Sequence, residues 1–204
     1  MNSKIKIRNK RQLILRKKAF IEITDQLKKS KIPFFLYGGV LLGFIREKNF
    51  IKWDWDIELG FKPEIIRKYW KKILKILSEN NFNIIEVDSN NLKIKFTKYV
   101  HPNITAFEIN GFRYDFFKGE YIRKKINIPK VFLQKFDKII IFNRSYKCPK
   151  NSKKFLEIMY GDWKTKKKSE KKESYLNKDF YRNNNWNYYV LISRIKKKLF
   201  SIFT

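Results

Sequence analysis

The sequence predicts a mixed helix-and-sheet domain, α+β or α/β in class, on three observations. Apolar residues recur at helical spacing near the N-terminus and again after Pro63. A short apolar run stops at Gly38-Gly39. From residue 83 onward, brief strand-like runs follow one another across turn signals. In order, "KRQLILRKKAFIEITDQLKKS", residues 10–30, places Leu13, Ala19, Phe20, Ile23 and Leu27 along one helical stripe with lysines outside it. After Pro33, "PFFLY" reads as a short buried strand, broken at Gly38-Gly39, and "VLLGFIRE" reads as a helix. The loop "KNFIK" leads into an acidic strand, "WDWDIEL". Pro63 then opens the helix "PEIIRKYWKKILKILSENN", since a proline at an early helical position loses no needed hydrogen bond. The pieces "NIIEV", "LKIKF", "ITAFEI" and "FRYDFF" follow as a meander, with Asn90-Asn91 and Asn110-Gly111 as hairpin turns. "SKKFLEIMY", residues 152–160, is a short helix opened by Ser152. "GDWKTKKKSEKKES" reads as solvated.

Composition narrows the function classes. The chain has 204 residues, 43% of them hydrophobic, which suits one domain with a real core. No run of about 18 apolar residues reads as a membrane span, and the basic start "MNSKIKIRNKRQ" lacks the apolar stretch of a secretory signal. The single cysteine, Cys148, excludes an internal disulfide framework and a cysteine-cluster zinc site, and fits a reducing cytoplasm. The single histidine, His101, sits beside Pro102 and reads as a loop residue. The net charge is +29 and is densest at the ends. Residues 1–31 hold eleven Lys or Arg against two acids, and residues 161–204 hold twelve against four. Such a field favours anionic partners: nucleic acid, an anionic membrane surface or phosphorylated substrates. A compositional excess of Lys, Ile and Asn explains part of it.

In "WDWDIEL", residues 53–59, the acids Asp54, Asp56 and Glu58 alternate with Trp55 and Ile57, which in a strand puts three carboxylates on one face. Two readings are open. The row is either a solvent-facing strand edge or a group held together by a cation. The second reading draws on Gly38 and Gly39, which let backbone approach a phosphate at a helix start. Mg²⁺ would bind the carboxylates and substrate phosphate.

These residues carry a resemblance. "YGGVLLGFIREKNFIKWDWDIELGF", Tyr37 to Phe61, resembles the signature of the LicD and fukutin-related phosphotransferases, and "FLEIMYGDWKT", Phe155 to Thr165, resembles their later element. The resemblance covers residues 15–165. It implies a nucleotidyltransferase-like mixed β-sheet flanked by helices, with a basic N-terminal helix (1–31) packed on a catalytic domain (32–165) and a basic tail (166–204). It also implies transfer of a phospho-alcohol group, phosphocholine or a polyol phosphate, from a CDP-linked donor to a glycan or lipid-linked glycan hydroxyl. By position it assigns Asp54, Asp56 and Glu58 to a Mg²⁺ or Mn²⁺ site, Gly38 and Gly39 to the phosphate-side turn, and Arg46 to donor phosphate. Asp115 of "RYDFF" is favoured over Glu108 as the acid that a neighbouring strand adds to that metal site, and as the proton acceptor. The sequence departs from the family pattern at Asn49, Lys52, Trp55 and Glu58.

Two other classes compete: a nucleotidyltransferase acting on RNA or a small molecule, and a non-catalytic basic module binding nucleic acid or membrane. Spacing of the acids and glycines favours the glycan enzyme, with nucleic acid the weaker partner. In the tail, Tyr188, Leu191, Ile192, Ile195, Leu199 and Ile202 share a helical face beside Lys196, Lys197 and Lys198. That pattern fits either a helix packed on the core or peripheral attachment to the inner membrane surface.

Overall fold

Local sequence signals open the two longest helices among the described residues. A computed structural model describes residues 7–123 and 126–167. Helix α1 (Lys10–Lys29) is opened by a reciprocal cap. Gln12 N donates to Asn9 Oδ1 at 2.9 Å and Asn9 N to Gln12 Oε1 at 2.9 Å. Strand β1 (Phe35–Leu36) is followed directly by α2 (Gly38–Arg46), so the glycine pair forms the first turn of the helix itself. Strand β2 (Asp56–Phe61) leads to α3 (Pro63–Glu79), with Pro63 at its start. Strands β3 (Asn83–Asp88), β4 (Lys93–Lys98) and β5 (Thr105–Gly111) then build the meander, and β6 (Arg113–Asp115), β7 (Glu120–Arg123) and β8 (Ile126–Pro129) form a separate small sheet. A short α4 (Val131–Gln134), the hairpin β9 (Phe136–Ile141) and β10 (Arg144–Pro149), and α5 (Ser152–Tyr160) complete the described chain.

The main sheet has the order β1-β2-β5-β4-β3. It is mixed: β2 runs parallel to β5, with Asp56 opposite Ala106 and Glu58 opposite Glu108, and the other pairs are antiparallel. Its apolar face carries Ile57, Leu59, Phe61, Phe107 and Ile109, packed with Phe20, Ile23 and Leu27 of α1 and Ile66, Ile73 and Leu77 of α3. Strand alternation turns Asp56, Glu58 and Glu108 to the other face. A second core, with Phe35, Leu41, Phe112, Leu133, Phe155 and Leu156, ties α2, α4 and α5 to that side. The architecture is an α+β fold with a mixed sheet flanked by helices.

Two expectations change. Strand β2 starts only at Asp56. Trp53 and Asp54 lie in a turn closed by Asp54 N donating to Ile51 O at 3.2 Å, and Trp55 links that turn to the strand. Asn110-Gly111 is not a hairpin turn but the end of β5, paired on both sides. Asn110 is fully buried, and a Cβ at Gly111 would press into Leu92 and Ile66, so packing overrides the turn preference. No helix among the described residues is long and apolar enough to cross a membrane. The amphipathic tail over 186–204 lies outside the described residues.

Candidate active site

The acidic segment is positioned by two arginines from the N-terminal end of the chain. Arg16 of α1 is 1% exposed. It donates from Nη1 to Trp55 O at 3.0 Å and from Nη2 to Asp56 O at 2.6 Å, and its Nη2 lies 4.0 Å from Asp54 Oδ2. Its guanidinium stacks on Phe50 at 5.1 Å. Arg8 donates to the carbonyls of Asp54 and Trp55, the latter at 2.8 Å, and lies over the Trp55 ring at 4.8 Å. Burial pushes the Arg16 pKa down to about 10. Asp54 opposes the shift, nearby Arg8 adds to it, and Asp56 opposes it further. Arg8 and Arg16 thus hold the backbone of the turn that carries Asp54, and the Asp54 carboxylate lies near both Arg16 and the start of α2.

There the glycine pair meets the acids. Gly38 has φ +63, and a Cβ placed on it would overlap the Glu58 carboxylate. A Cβ on Gly39 would overlap Asp54 Oδ2. The carboxylates of Asp54 and Glu58 therefore lie against the backbone of the first two residues of α2, with Asp56 on the same face of β2 as Glu58. The start of a helix carries partial positive charge, which suits this approach.

On the neighbouring strand, Glu108 faces Glu58 in register. The two like charges are reconciled by Arg123 of β7, which pairs with Glu108 and lies 3.8 Å from Glu58. Arg123 also donates to the Tyr37 hydroxyl at 3.0 Å, and that hydroxyl accepts from Asn110 Nδ2 at 2.5 Å. Burial works against the charge on Arg123, but Tyr37, Glu58, Glu108 and Asp56 together outweigh it and hold its pKa above the usual value. Burial first, then Glu58, drives the Tyr37 phenol well above its ordinary range, so Tyr37 stays neutral.

The structure brings Asp54, Asp56, Glu58, Gly38 and Gly39 together, and it places Asp115 and Arg46 elsewhere. Asp115 ends β6, opposite Glu120. Its Oδ1 accepts from Phe117 N at 3.0 Å and Lys118 N at 3.1 Å, which organises a hairpin tip. That tip lies three strand positions, about 10 Å, from the level of Arg123. The acid on the strand beside Glu58 is Glu108. Arg46 is at the far end of α2, about 12 Å from Gly38 at 1.5 Å per residue. It pairs with Glu47 at 2.6 Å and donates to Trp163 O at 3.2 Å, tying α2 to the "YGDW" segment.

Among the described residues no three Asp, Glu, His or Cys side chains gather as a metal cage. Asp54, Asp56 and Glu58 fit a different kind of site, in which a hard cation takes one or two carboxylates and completes its shell with substrate phosphate and water. Sequence reasoning missed Arg8, Arg16, Arg123, Tyr37 and Asn110. Arg16 had a visible signal: it falls on the apolar stripe between Leu13 and Phe20, where a charge needs a partner. Arg123, in "EYIRKK", had none.

Residues 31–151 match the family described as LicD/FKTN/FKRP, nucleotidyltransferase domain. Ribitol 5-phosphate transferase FKRP of Mus musculus and that of Homo sapiens are each 24% identical over 149 residues, covering 68% of this chain and 30% of theirs. The chain thus spans less than a third of the length of these curated relatives. Among solved structures, ANT(2")-Ia in complex with adenylyl-2"-tobramycin is similar over 65% of this chain and 67% of that one, with TM-score 0.41 and 15% identity. The family match takes in more than half of the chain, including the glycine pair, the acidic turn and both central strands, and the chain belongs to the LicD/FKTN/FKRP family through its nucleotidyltransferase domain.

Proposed function

We propose that the protein is a phosphotransferase that moves a phospho-alcohol group, phosphocholine or a polyol phosphate, from a CDP-linked donor to a glycan or lipid-linked glycan hydroxyl. The observation that carries this reading is the contact of Asp54 and Glu58 with the first turn of α2, with Asp56 beside them. Family membership supports it, as do the names of the FKRP relatives, which are ribitol 5-phosphate transferases.

In this reading the donor pyrophosphate lies beside the start of α2, whose partial positive charge favours it, next to the carboxylates that Gly38 and Gly39 admit. One or two of the carboxylates of Asp54, Asp56 and Glu58 would hold a Mg²⁺ or Mn²⁺ ion, which when bound supplies charge neutralisation for the phosphates. Arg8 and Arg16 fix the turn so that its carboxylate does not reorganise during the reaction. Arg123 keeps Glu108 and Glu58 from repelling each other. The bond from phosphorus to the CMP oxygen breaks as the acceptor oxygen bonds to phosphorus, and the acceptor proton passes to one of the three carboxylates. Asp115, committed to its hairpin tip, has no part in this step.

The test is a panel of CDP-choline, CDP-ribitol and CDP-glycerol with surface-glycan acceptors, scored for CMP release with and without Mg²⁺. Asp56→Asn is expected to abolish release while circular dichroism stays unchanged. Full metal-dependent turnover by that variant would remove the site assignment. Pyrophosphate release from ATP or CTP in place of CMP release from the CDP donors would assign nucleotidyl transfer instead.

A further inference from the structure

The most exposed apolar side chains among the described residues lie outside the proposed site. Between β6 and β7 the hairpin tip presents Phe116 at 84% exposure and Phe117 at 97%. Two adjacent, almost fully exposed phenylalanines are unusual on a soluble surface and mark a contact site. The tip is ordered by design. Asp115 accepts from the N–H groups of Phe117 and Lys118, Tyr114 braces the Phe116 ring edge-on at 4.8 Å, and Gly119 takes φ +64 to close the turn. The β7–β8 register sets Gly119 beside Lys130, whose N–H donates to Gly119 O at 2.9 Å. The next residue, Val131, is 59% exposed. Exposed apolar groups therefore share this end of the small sheet with the exposed cations Lys118 and Lys130. Of the acids at this end, Asp115 faces inward to the turn and Glu120 accepts from Asn127 Nδ2 at 3.1 Å.

We infer that this tip docks on an anionic lipid surface, with Phe116 and Phe117 entering the interface and Lys118 and Lys130 meeting the headgroups. Aromatic groups with a cationic rim are what such an interface takes up, and the chain's net charge of +29 adds the long-range attraction. The inference rests on surface chemistry alone and not on the catalytic reading.

The experiment is flotation of the full chain with vesicles of phosphatidylcholine alone and with about 30% phosphatidylglycerol added, since anionic lipid supplies the headgroup term. The unmodified chain is expected to float with the anionic vesicles and far less with the neutral ones. The double variant Phe116→Ser/Phe117→Ser, changed only at exposed positions, is expected to partition at least about tenfold more weakly, the loss set by the two rings' apolar area. Equal partitioning of the two proteins would overturn the inference, as would absence of the unmodified chain from both vesicle types. Concentration-dependent self-association abolished by the same two substitutions would assign the patch to a second copy and would also overturn it.

Discussion

At the residue scale, the glycine pair makes the sharpest demand. Gly39 has an ordinary helical backbone, and its only conflict with a side chain is at the tip of Asp54. Gly39→Ala is therefore expected to leave stability unchanged or slightly higher, since alanine favours a helix by about 1 kcal/mol over glycine. The added methyl displaces the Asp54 carboxylate, and CMP release is expected to fall by roughly 100-fold, a loss typical of misplaced catalytic groups. A thermal melt beside the activity assay separates the two effects, and a stable, fully active variant would dissociate the contact from catalysis. Gly38→Ala adds strain, because φ +63 costs an L-residue about 1–2 kcal/mol. Arg16→Met tests the other side of the turn. It strips two carbonyls of a buried, charge-assisted donor, and it is expected to cost about 3 kcal/mol in urea unfolding. The acids and glycines were legible because their types and spacing are local. Arg123 was not, and Glu108 was weighed only as the alternative to Asp115, since both depend on strands that meet only in the folded sheet.

At the element scale, strongly periodic segments were readable and long-range pairings were not. Helices α1, α3 and α5 follow their apolar stripes, and the β3–β4 hairpin follows Asn90-Asn91. The parallel pairing of β2 with β5 joins residues about 50 apart, and no local pattern encodes it. No element was predicted between 118 and 151, where β9 and β10 turn at Phe142-Asn143 with φ +50 and +59. A phenylalanine is a poor turn residue. It is held there because its ring packs on Phe44 at 5.1 Å and Phe50 at 5.8 Å. This hairpin is joined to α5 by Asp137, which accepts from Lys150 Nζ at 2.7 Å and Asn151 N at 2.8 Å. The Lys150 hydrogen bond first, then that of Asn151, holds the Asp137 carboxyl below its usual pKa. A depressed carboxyl stabilises the fold above its unfolded value and loses that contribution as pH falls through the folded one. The urea midpoint of Asp137→Asn is therefore expected to lie below that of the unmodified chain at pH 7. The gap is expected to close as pH falls below the ordinary carboxylate value of about 4 and through the lower folded one. A gap that stays constant down to pH 2 would show the ion pair to be irrelevant.

At the scale of the whole molecule, the folded unit is larger than the stretch that matches the family. The match opens at residue 31, just after α1, yet α1 is part of both the core and the site. Phe20, Ile23 and Leu27 are fully buried against the main sheet. At about 1.5–3 kcal/mol for each side chain their burial contributes about 5–9 kcal/mol, comparable with the whole stability of an ordinary domain. The same segment delivers Arg8 and Arg16 to the acidic turn. A chain beginning at residue 31 is thus expected to lack fixed tertiary packing, read as a lost near-ultraviolet circular dichroism signal, and to release no CMP. The double variant Arg8→Gln/Arg16→Gln in the full chain separates the two roles of α1. It keeps the apolar stripe and so is expected to remain folded at low temperature, while the unclamped turn lowers turnover. If the shortened chain folds and turns over donor normally, α1 is an appendage and the turn must be ordered from within the matched residues alone.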